Sequence, residues 1–549
     1  MESHRKLLLI LGLLIVLFGC GKVRLPIPSP RGDLAKTKVV RVGLIEKTQS
    51  VDFMIKGSFS VYDKNGRFVA RGLKGHRWRA RIAADAAPEI EYRLKFVTTR
   101  SYDDAAKSTQ FLADRKIRYE VLKIEDTSPA SVYRDDDAGV TYHVVAWQIF
   151  STREQAEKKR KQLSSRAPFE IFPFNKNANS KTIEIVSQET DQTLQFPSGS
   201  RLDTDRFALF GVPVGEGYHW QENENRVYRG LIEFLVDDQK RMTVVNILPI
   251  ESYLRGVVPS EMPKEFPLAA LKAQAIAARS EVIKKLARHA SDGFDICANV
   301  HCQVYSGINR EHENSNRAVD ETTGQVLMKS GVVVEAVYNG VCGGHSESNE
   351  YVWNGAPQSH LRAIFDGKGA PDLLNGYLQR ESVLRRWVST PAPAYCNTIS
   401  AEIPASLEYT RKYYRWQLTV PRVELENYIR AETGETFGNL QNIIPLERGL
   451  SGRLNRIRIV GTTKSFVIEK ELAIRRALSA TTLFSSCFVV DRQMSPDNIP
   501  VTFTFHGAGW GHGVGMCQTG AAMMALQGAT LEQIIDHYYA GAEIGKLTD

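Results

Sequence analysis

The sequence lacks several features that would place the chain in a familiar class. After its first twenty residues, no apolar run approaches the length of a transmembrane helix. The net charge of +8 is modest for 549 residues, and basic and acidic side chains are interspersed, which argues against nucleic-acid binding. The glycine-rich stretch at 506–518 (HGAGWGHGVGMCQ) lacks the Gly-Lys-Ser/Thr ending of a phosphate-binding loop, so we expect no nucleotide.

The first twenty residues have the pattern of an export signal. Arg5 and Lys6 precede an apolar stretch at 7–18 that is too short to span a bilayer, and Gly19-Cys20 follows as a small-residue cleavage site. The sequence LFGC resembles a bacterial lipobox, which implies a lipid on the Cys20 sulfur; a plain secretory signal is the alternative. We expect a lipoprotein signal peptide, export, and anchoring at the cell envelope through Cys20. In a Gram-negative cell this would be the periplasmic face of the outer membrane.

Three further regions follow before residue 180. Residues 21–38 contain three prolines and no apolar periodicity, which is typical of a linker. Residues 39–86 alternate apolar and polar side chains between Gly and Asn-Gly turns, which predicts a small β-rich region. Between 90 and 175 the order strand, helix, strand occurs twice, and capping signals at Ser101 and Ser151 precede the helices. This duplication predicts a ferredoxin-like βαββαβ module.

The duplicated module resembles a SPOR domain. Members of that family bind glycan strands from which the stem peptides have been removed, through the exposed face of their sheet. The resemblance lies in the pattern of elements and not in a fixed motif, so a ferredoxin-like module without a ligand is the alternative.

Glu261 is the candidate catalytic residue. The segment NILPIESYLRGVVPSEMP at 246–263 predicts a strand entering a turn, and an amphipathic helix follows from Pro267 to His289. Glu261 lies in that turn among apolar neighbours, a setting that raises a carboxyl pKa and favours a general acid. The alternative is that Glu261 only caps the following helix, whose N-terminus would favour the carboxylate. Glu251, ten residues earlier, is expected to be structural.

Six segments resemble, in order, the motifs of the sporulation protein D (SpoIID/LytB) family. They are NILPIESYLRGVVPSEMP, LKAQAIAARSEVIKK, HCQVYSG, ETTGQVLM, VYNGVCGGHSES and GWGHGVGMCQTGAAMMA, which begin at residue 246 and end at residue 525. The resemblance implies a lytic transglycosylase that acts on peptide-free glycan strands, with Glu261 as its catalytic acid. One carboxyl group is enough for this reaction, because the C6 hydroxyl of the substrate traps the oxocarbenium-like species.

Two other functions stay open beside the enzyme. Part of the resembled family is named for amidase activation, which implies a noncatalytic peptidoglycan binder with a cell-wall amidase as its partner. A structural lipoprotein that links the membrane to the wall is the third hypothesis. In each case the expected partner is the peptidoglycan glycan strand, and contact with the membrane runs through Cys20 alone.

Five further side chains are candidates for contact with sugar. Gln274 and Arg279 lie beside the apolar stripe of the helix after Glu261, where they could bind sugar groups or be solvated. Tyr305 could stack on a sugar ring or lie in the core. His512 and Gln518 lie in or next to glycines that permit close backbone approach to a ligand or strand. A cysteine protease built on His512 and Cys517 is disfavoured, since one flexible turn does not fix a nucleophile and its base.

Four residues have the chemistry of a zinc site. Cys297, His301 and Cys302 form C-x-x-x-H-C, with His289 upstream, and two thiolates and two imidazoles can complete a tetrahedron. Some members of the resembled family carry zinc near the HCQVY segment. A Cys297–Cys302 disulfide or buried thiols are the alternatives, and the convergence of family motifs would also allow Cys342 to pair with Cys517.

The sequence therefore predicts an α+β protein. We expect the SpoIID-like catalytic domain to have a first part at 180–365, an insertion or subdomain at 366–497, and a C-terminal part at 498–549. The SPOR-type module at 90–175 and the small β-rich region at 39–86 precede it.

Overall fold

The computed structural model describes residues 38–72, 75–84, 90–99, 101–125, 140–175, 181–371 and 377–547. The predicted signal peptide with Cys20, and the linker up to residue 37, lie outside these residues. Within the described ranges, no helix combines the length and apolarity needed to cross a bilayer.

The described residues form an α+β fold of 28 strands and eleven α-helices. The strands are β1 (Val39–Thr48), β2 (Ser50–Ile55), β3 (Phe59–Tyr62), β4 (Phe68–Gly72), β5 (Arg77–Ile82), β6 (Ile90–Thr99), β7 (Tyr119–Glu125), β8 (Val140–Ala146), β9 (Glu170–Asn175), β10 (Thr182–Ser187), β11 (Thr193–Pro197), β12 (Arg201–Asp203), β13 (Arg206–Val214), β14 (Glu222–Arg229), β15 (Leu231–Val236), β16 (Met242–Pro249), β17 (Ile296–Cys297), β18 (Gln325–Lys329), β19 (Val332–Val333), β20 (Tyr338–Asn339), β21 (Trp416–Pro421), β22 (Leu440–Arg448), β23 (Leu454–Gly461), β24 (Ser465–Glu469), β25 (Phe488–Met494), β26 (Pro500–Gly507), β27 (Met516–Cys517) and β28 (Glu543–Lys546).

The helices connect and cover these strands. They are α1 (Tyr102–Asp114), α2 (Arg153–Leu163), α3 (Ile250–Glu261), α4 (Leu268–Lys284), α5 (Glu313–Glu321), α6 (Glu381–Ser389), α7 (Arg411–Tyr414), α8 (Arg422–Thr433), α9 (Glu471–Ala477), α10 (Gln518–Leu526) and α11 (Leu531–Tyr538).

Two large sheets share one core. A seven-stranded sheet has the order β17-β1-β16-β15-β12-β3-β4, and a six-stranded sheet has the order β11-β10-β5-β2-β13-β14. Alternate side chains of both sheets point into the same apolar cluster, for example Val40 and Val42 of β1 and Phe53 and Ile55 of β2.

The prediction of a separate β-rich region at 39–86 is wrong. β1 pairs with β16 along most of its length, and β5 pairs with β10, so both sheets combine strands from before and after the 90–175 module. Neither set of strands can bury its apolar face alone, which is the physical reason that they form one unit.

The 90–175 module is inserted into a hairpin of this sandwich. Ile82 of β5 pairs directly with Ile183 of β10, so the chain leaves and re-enters the sandwich at adjacent points. Within the module the antiparallel sheet has the order β7-β8-β6-β9, which is the order of a βαββαβ unit. The hydroxyl groups of Ser101 and Thr152 cap the two helices, so the second cap is one residue later than predicted.

Helix α3 occupies the place where the sequence predicted a turn. Its buried residues Tyr253, Leu254, Val257 and Val258 recur at helical spacing and pack into the main core. The next helix, α4, is buried on nearly all sides and ends at Lys284, five residues earlier than predicted.

A subdomain with its own apolar core follows the segment at 180–365. It contains the sheets β21-β26-β25 and β22-β23-β24, packed with α8 and α9. Because β26 lies between β21 and β25, the predicted boundary at 497/498 is wrong, and residues up to Gly507 belong to the subdomain.

The C-terminal glycine-rich segment returns to the segment at 180–365. β27 pairs in parallel with β20, which places Met516 opposite Tyr338 and Cys517 opposite Asn339. Gly515 has a φ of +70°, and a Cβ at this position would collide with the Val337 carbonyl oxygen. Glycine therefore permits the close approach of the two strands.

Candidate active site

Glu261 lies at the junction of four chain segments. It is the last residue of α3, and its Oε1 accepts a hydrogen bond from the Val304 backbone N–H at 2.9 Å. Its Oε2 accepts one from Nε2 of Gln518 at 3.5 Å, and the hydroxyl group of Tyr338 also bonds to the carboxylate. The Glu261 side chain is partly exposed, and no charged group within the described part of the chain acts on it. It is therefore held by neutral donors and not by an ion pair.

This environment keeps Glu261 protonated over an unusual pH range. Burial raises the pKa of Glu261 from 4.5 to about 7, and the hydrogen bonds from Val304, Gln518 and Tyr338 offset this rise only in part. The position at the C-terminal end of α3 acts in the same direction as burial, because the helix dipole is negative there. A carboxyl group with such a pKa can donate a proton near neutral pH.

A network of polar side chains supports the Glu261 carboxylate. Nε2 of Gln518 also donates to Oε1 of Gln274 at 3.3 Å. On the other side, Nε2 of Gln303 donates to the Tyr338 hydroxyl at 2.9 Å, and Oε1 of Gln303 accepts from the Tyr253 hydroxyl at 3.0 Å. These contacts hold the two side-chain donors beside Glu261 in place.

Two predicted sugar-binding residues of the helix α4 have other roles. Arg279 is fully buried and makes a bidentate ion pair with Glu251 at 2.7–2.8 Å, so its assignment as a sugar-binding residue is wrong. Gln274 is also fully buried, and its Oε1 accepts from Gln518, so it positions Gln518 and does not face solvent. Polar residues of this helix are buried because α5, α10 and α11 pack around it.

Tyr305 is a core residue. Its side chain is 1% exposed, and its hydroxyl donates to Oδ1 of Asn246 at 3.1 Å. The predicted stacking of Tyr305 on a sugar ring is therefore wrong, because no sugar can reach a ring enclosed on both faces.

His512 lies near the exposed ring of Trp353. Burial lowers the pKa of His512 to about 3, so the imidazole is neutral, and its Nδ1 accepts from the Val514 backbone N–H at 3.0 Å. The centroids of the His512 and Trp353 rings are 4.9 Å apart, and Trp353 is 40% exposed. Trp353, which the sequence analysis did not single out, therefore offers an aromatic surface to a ligand.

Tyr338, Gln303 and Tyr253 are the polar residues at Glu261 that sequence reasoning missed. Tyr338 and Gln303 lie inside quoted family-like motifs, VYNGVCGGHSES and HCQVYSG, so their position was a signal for a role near Glu261. The sequence did not indicate which motif residues face the carboxylate, because that depends on the pairing of β20 with β27.

The four predicted zinc ligands converge. The candidate ligand atoms of His289, Cys297, His301 and Cys302 all lie within 4.8 Å of one another. The Cys302 sulfur lies 3.5 Å from Nε2 of His289, while Nδ1 of His289 lies 3.1 Å from the Asp292 carboxylate. This carboxylate orients the imidazole so that Nε2 faces the cluster, a common arrangement around zinc-bound histidine. The donor set and its spacing fit a tetrahedral zinc ion.

Two family models match the chain. Residues 238–328 match the model described as Stage II sporulation protein (SpoIID), and residues 347–515 match a domain of unknown function (DUF8618). The first match contains Glu261, and the second contains most of the subdomain.

Several relatives are similar over longer stretches. An uncharacterised protein of Brachyspira hyodysenteriae is 29% identical over 387 residues, which cover 70% of this chain and 89% of the relative. Stage II sporulation protein D of Bacillus subtilis is 26% identical over 365 residues, which cover 64% of this chain and 88% of the relative.

A third relative has a different name. The Amidase enhancer of Bacillus subtilis is 27% identical over 313 residues, which cover 53% of this chain and 40% of the relative. Residues 238–328 are therefore similar to the SpoIID family, and the relatives named Stage II sporulation protein D are similar over a longer part of the chain.

Proposed function

We propose that the protein is a peptidoglycan lytic transglycosylase that cleaves peptide-free glycan strands, with Glu261 as general acid and then general base. The observation that carries the proposal is a partly exposed carboxyl group that has no ion-pair partner among the described residues and is held by neutral donors from separate segments. Glu261 is free to exchange its proton with a substrate, as this chemistry requires.

Glu261 supplies both proton transfers of the reaction. Its protonated carboxyl group gives a proton to the glycosidic oxygen, and the C–O bond breaks to leave an oxocarbenium-like sugar. The resulting carboxylate then accepts the proton of the C6 hydroxyl as that oxygen bonds to C1. The product carries a 1,6-anhydro ring, and Glu261 ends the cycle protonated.

The absence of Glu251 from the site favours this reaction over hydrolysis. Glu251 and Glu261 lie ten residues apart on α3, which corresponds to about 15 Å along a helix. Hydrolysing glycosidases hold two carboxyl groups roughly 5–9.5 Å apart. Since Glu251 is also paired with Arg279, it cannot serve as the second carboxyl group.

We assign strand binding to the 90–175 module, as in the SPOR family. On the sheet face opposite α1 and α2, the Phe172 ring lies 4.8 Å from the His143 ring and 5.4 Å from Nζ of Lys95. An aromatic ring beside polar groups is suited to contact with sugar. The module would hold the strand that the catalytic unit cuts.

We also propose zinc at His289, Cys297, His301 and Cys302. With four protein ligands the site has no open position, which is typical of structural zinc. The bound ion would fix the segment that carries Gln303 and Val304, and both residues serve the Glu261 network.

Export and lipid anchoring complete the proposal. A lipid on Cys20 would hold the protein at the cell envelope, on the periplasmic face of an outer membrane where one exists. This location would give the catalytic unit direct access to the wall.

The second candidate function is activation of a cell-wall amidase without catalysis. The similarity to a relative named Amidase enhancer is the observation in its favour. A two-arm experiment separates the functions: the purified protein is incubated alone with peptide-free strands, and together with a cell-wall amidase on intact wall. Anhydro-muramyl ends in the first arm support the transglycosylase. Faster peptide release in the second arm, with no products in the first, supports the activator.

A further inference from the structure

A second cluster of metal-binding side chains lies apart from the first. The candidate ligand atoms of Cys342, Asp366, Cys396 and Cys517 all lie within 4.8 Å of one another, and all four residues are buried. The four residues come from three regions: the turn after β20, the 366–396 segment of the insertion, and the end of β27.

The distances in this cluster fit a metal ion better than a disulfide. The Cys342 sulfur lies 3.4 Å from the Cys396 sulfur and 3.2 Å from Oδ2 of Asp366. Tetrahedral zinc with bonds of about 2.3 Å to sulfur requires sulfur–sulfur separations of about 3.8 Å. A disulfide requires about 2.05 Å and would leave one of three thiols unpaired in the same buried space.

The surroundings of Cys517 stabilise a thiolate ligand. Its sulfur accepts hydrogen bonds from the backbone N–H groups of Cys342 at 3.2 Å and Gly520 at 3.4 Å. The second of these groups belongs to the first turn of α10, whose dipole favours negative charge at that end. Such donors are typical of the outer shell around a bound metal ion.

Hydrogen bonds also orient the Asp366 carboxylate. Its Oδ1 accepts from the Tyr538 hydroxyl at 2.7 Å, and its Oδ2 accepts from the Cys396 backbone N–H at 3.2 Å. Nε2 of His537 lies 3.5 Å from Oδ1. Oδ2, the oxygen that contacts the Cys342 thiol, therefore faces the three sulfur atoms.

We propose that Cys342, Asp366, Cys396 and Cys517 bind a second zinc ion in a closed, structural site. Thiolates select a borderline-soft ion such as zinc, and four protein ligands leave no position for substrate. Because the side chains are buried, the site has no path for a substrate to reach a cysteine nucleophile.

The second site connects the insertion to the Glu261 network. Cys517 directly precedes Gln518, a donor to Glu261, and Cys342 follows the strand that carries Tyr338. Asp366 and Cys396 belong to the insertion, so the ion would hold these donors in place from outside the catalytic unit. The metal site itself does not depend on Glu261 being catalytic.

Metal stoichiometry of the purified protein tests the proposal. We expect zinc to bind at both clusters, so the Cys302→Ser variant, which removes a ligand of the first cluster, should retain about one zinc ion per chain. The Cys396→Ser variant should lose one zinc ion relative to wild type. Cys487→Ser is the matched control, because Cys487 is equally buried but belongs to neither cluster, and it should keep the wild-type zinc content.

Two measurements keep the test decisive if a variant misfolds. X-ray absorption of zinc in the Cys302→Ser protein should show about three sulfur ligands and one oxygen or nitrogen ligand. When wild-type protein is denatured in the presence of a chelator, titration of its thiols should detect all six cysteines after Cys20. A Cys302→Ser protein without zinc, or a deficit of two thiols assigned to this cluster, would overturn the proposal.

Discussion

Replacing Glu261 by glutamine should change the pH dependence of stability in a defined direction. The fold raises the pKa of this carboxyl group from 4.5 to about 7, chiefly by burial. Each pKa unit corresponds to about 1.4 kcal/mol, so ionisation of Glu261 destabilises the fold by about 3 kcal/mol at most. The folded protein binds this proton more tightly than the unfolded chain does. The stabilising contribution is therefore complete below pH 4.5 and is lost as pH rises to about 7.

Glutamine has no charge to desolvate, so Glu261→Gln should gain stability relative to wild type as the pH rises. Hydrogen exchange of α4 amides, compared between variant and wild type at the same pH, reports this local stability. We expect the two proteins to differ little near pH 5, on the order of tenths of a kcal/mol, and the variant to be more protected near pH 8 by about 2–3 kcal/mol. A difference that does not change with pH would refute the proposed protonation of Glu261.

Glu251→Gln is the matched control, because it makes the same chemical change on the same helix. Glu251 pairs with the fully buried Arg279, and removing one partner of such a pair leaves a buried charge without compensation. This variant should lose protection at both pH values, opposite in sign to Glu261→Gln.

Three further outcomes are expected. The rate of strand cleavage should fall as pH rises through about 7, the pKa of Glu261; a rate that stays level from about pH 6 to pH 9 would contradict general-acid catalysis. Tyr338→Phe removes a donor to the carboxylate worth about 1.5–3 kcal/mol, so the alkaline limb of the rate profile should move to higher pH by about one to two units. An unmoved limb would remove Tyr338 from the network. Deleting 90–175 should weaken pull-down by peptide-free wall by about tenfold or more, which corresponds to a loss of at least 1.4 kcal/mol of binding free energy. Turnover of short strands should be unchanged, because Ile82 and Ile183 already pair and the sandwich can close without the module. Unchanged pull-down would argue against a SPOR role.

The sequence predicted those features that local patterns determine. The βαββαβ order of 90–175 follows from capping signals and alternating strands, each of which acts within a few residues. Glu261 was recognisable because its apolar neighbours and its surrounding motif lie within one short segment. The convergence of the first cysteine and histidine cluster could also be predicted from the sequence, since three of its four members are within six residues.

Features that depend on contacts between distant parts of the chain could not be predicted from local patterns. The pattern of β1 does not indicate that its partner is β16, about 200 residues later. Arg279 was expected near solvent because polar residues commonly leave the apolar stripe of a helix, but α4 is enclosed by other helices and its arginine is paired internally. The contact of Gln518 with Glu261 similarly depends on the parallel pairing of β20 and β27.

The most direct test of Glu261 catalysis is mass spectrometry of the products from peptide-free glycan strands. Wild type and the Glu251→Gln control, where it remains folded, should release fragments with 1,6-anhydro-muramyl ends, while Glu261→Gln should release at least about a hundredfold fewer, since general acid catalysis contributes about 10²–10⁴-fold. Anhydro ends formed at an undiminished rate by a folded Glu261→Gln protein would contradict the account.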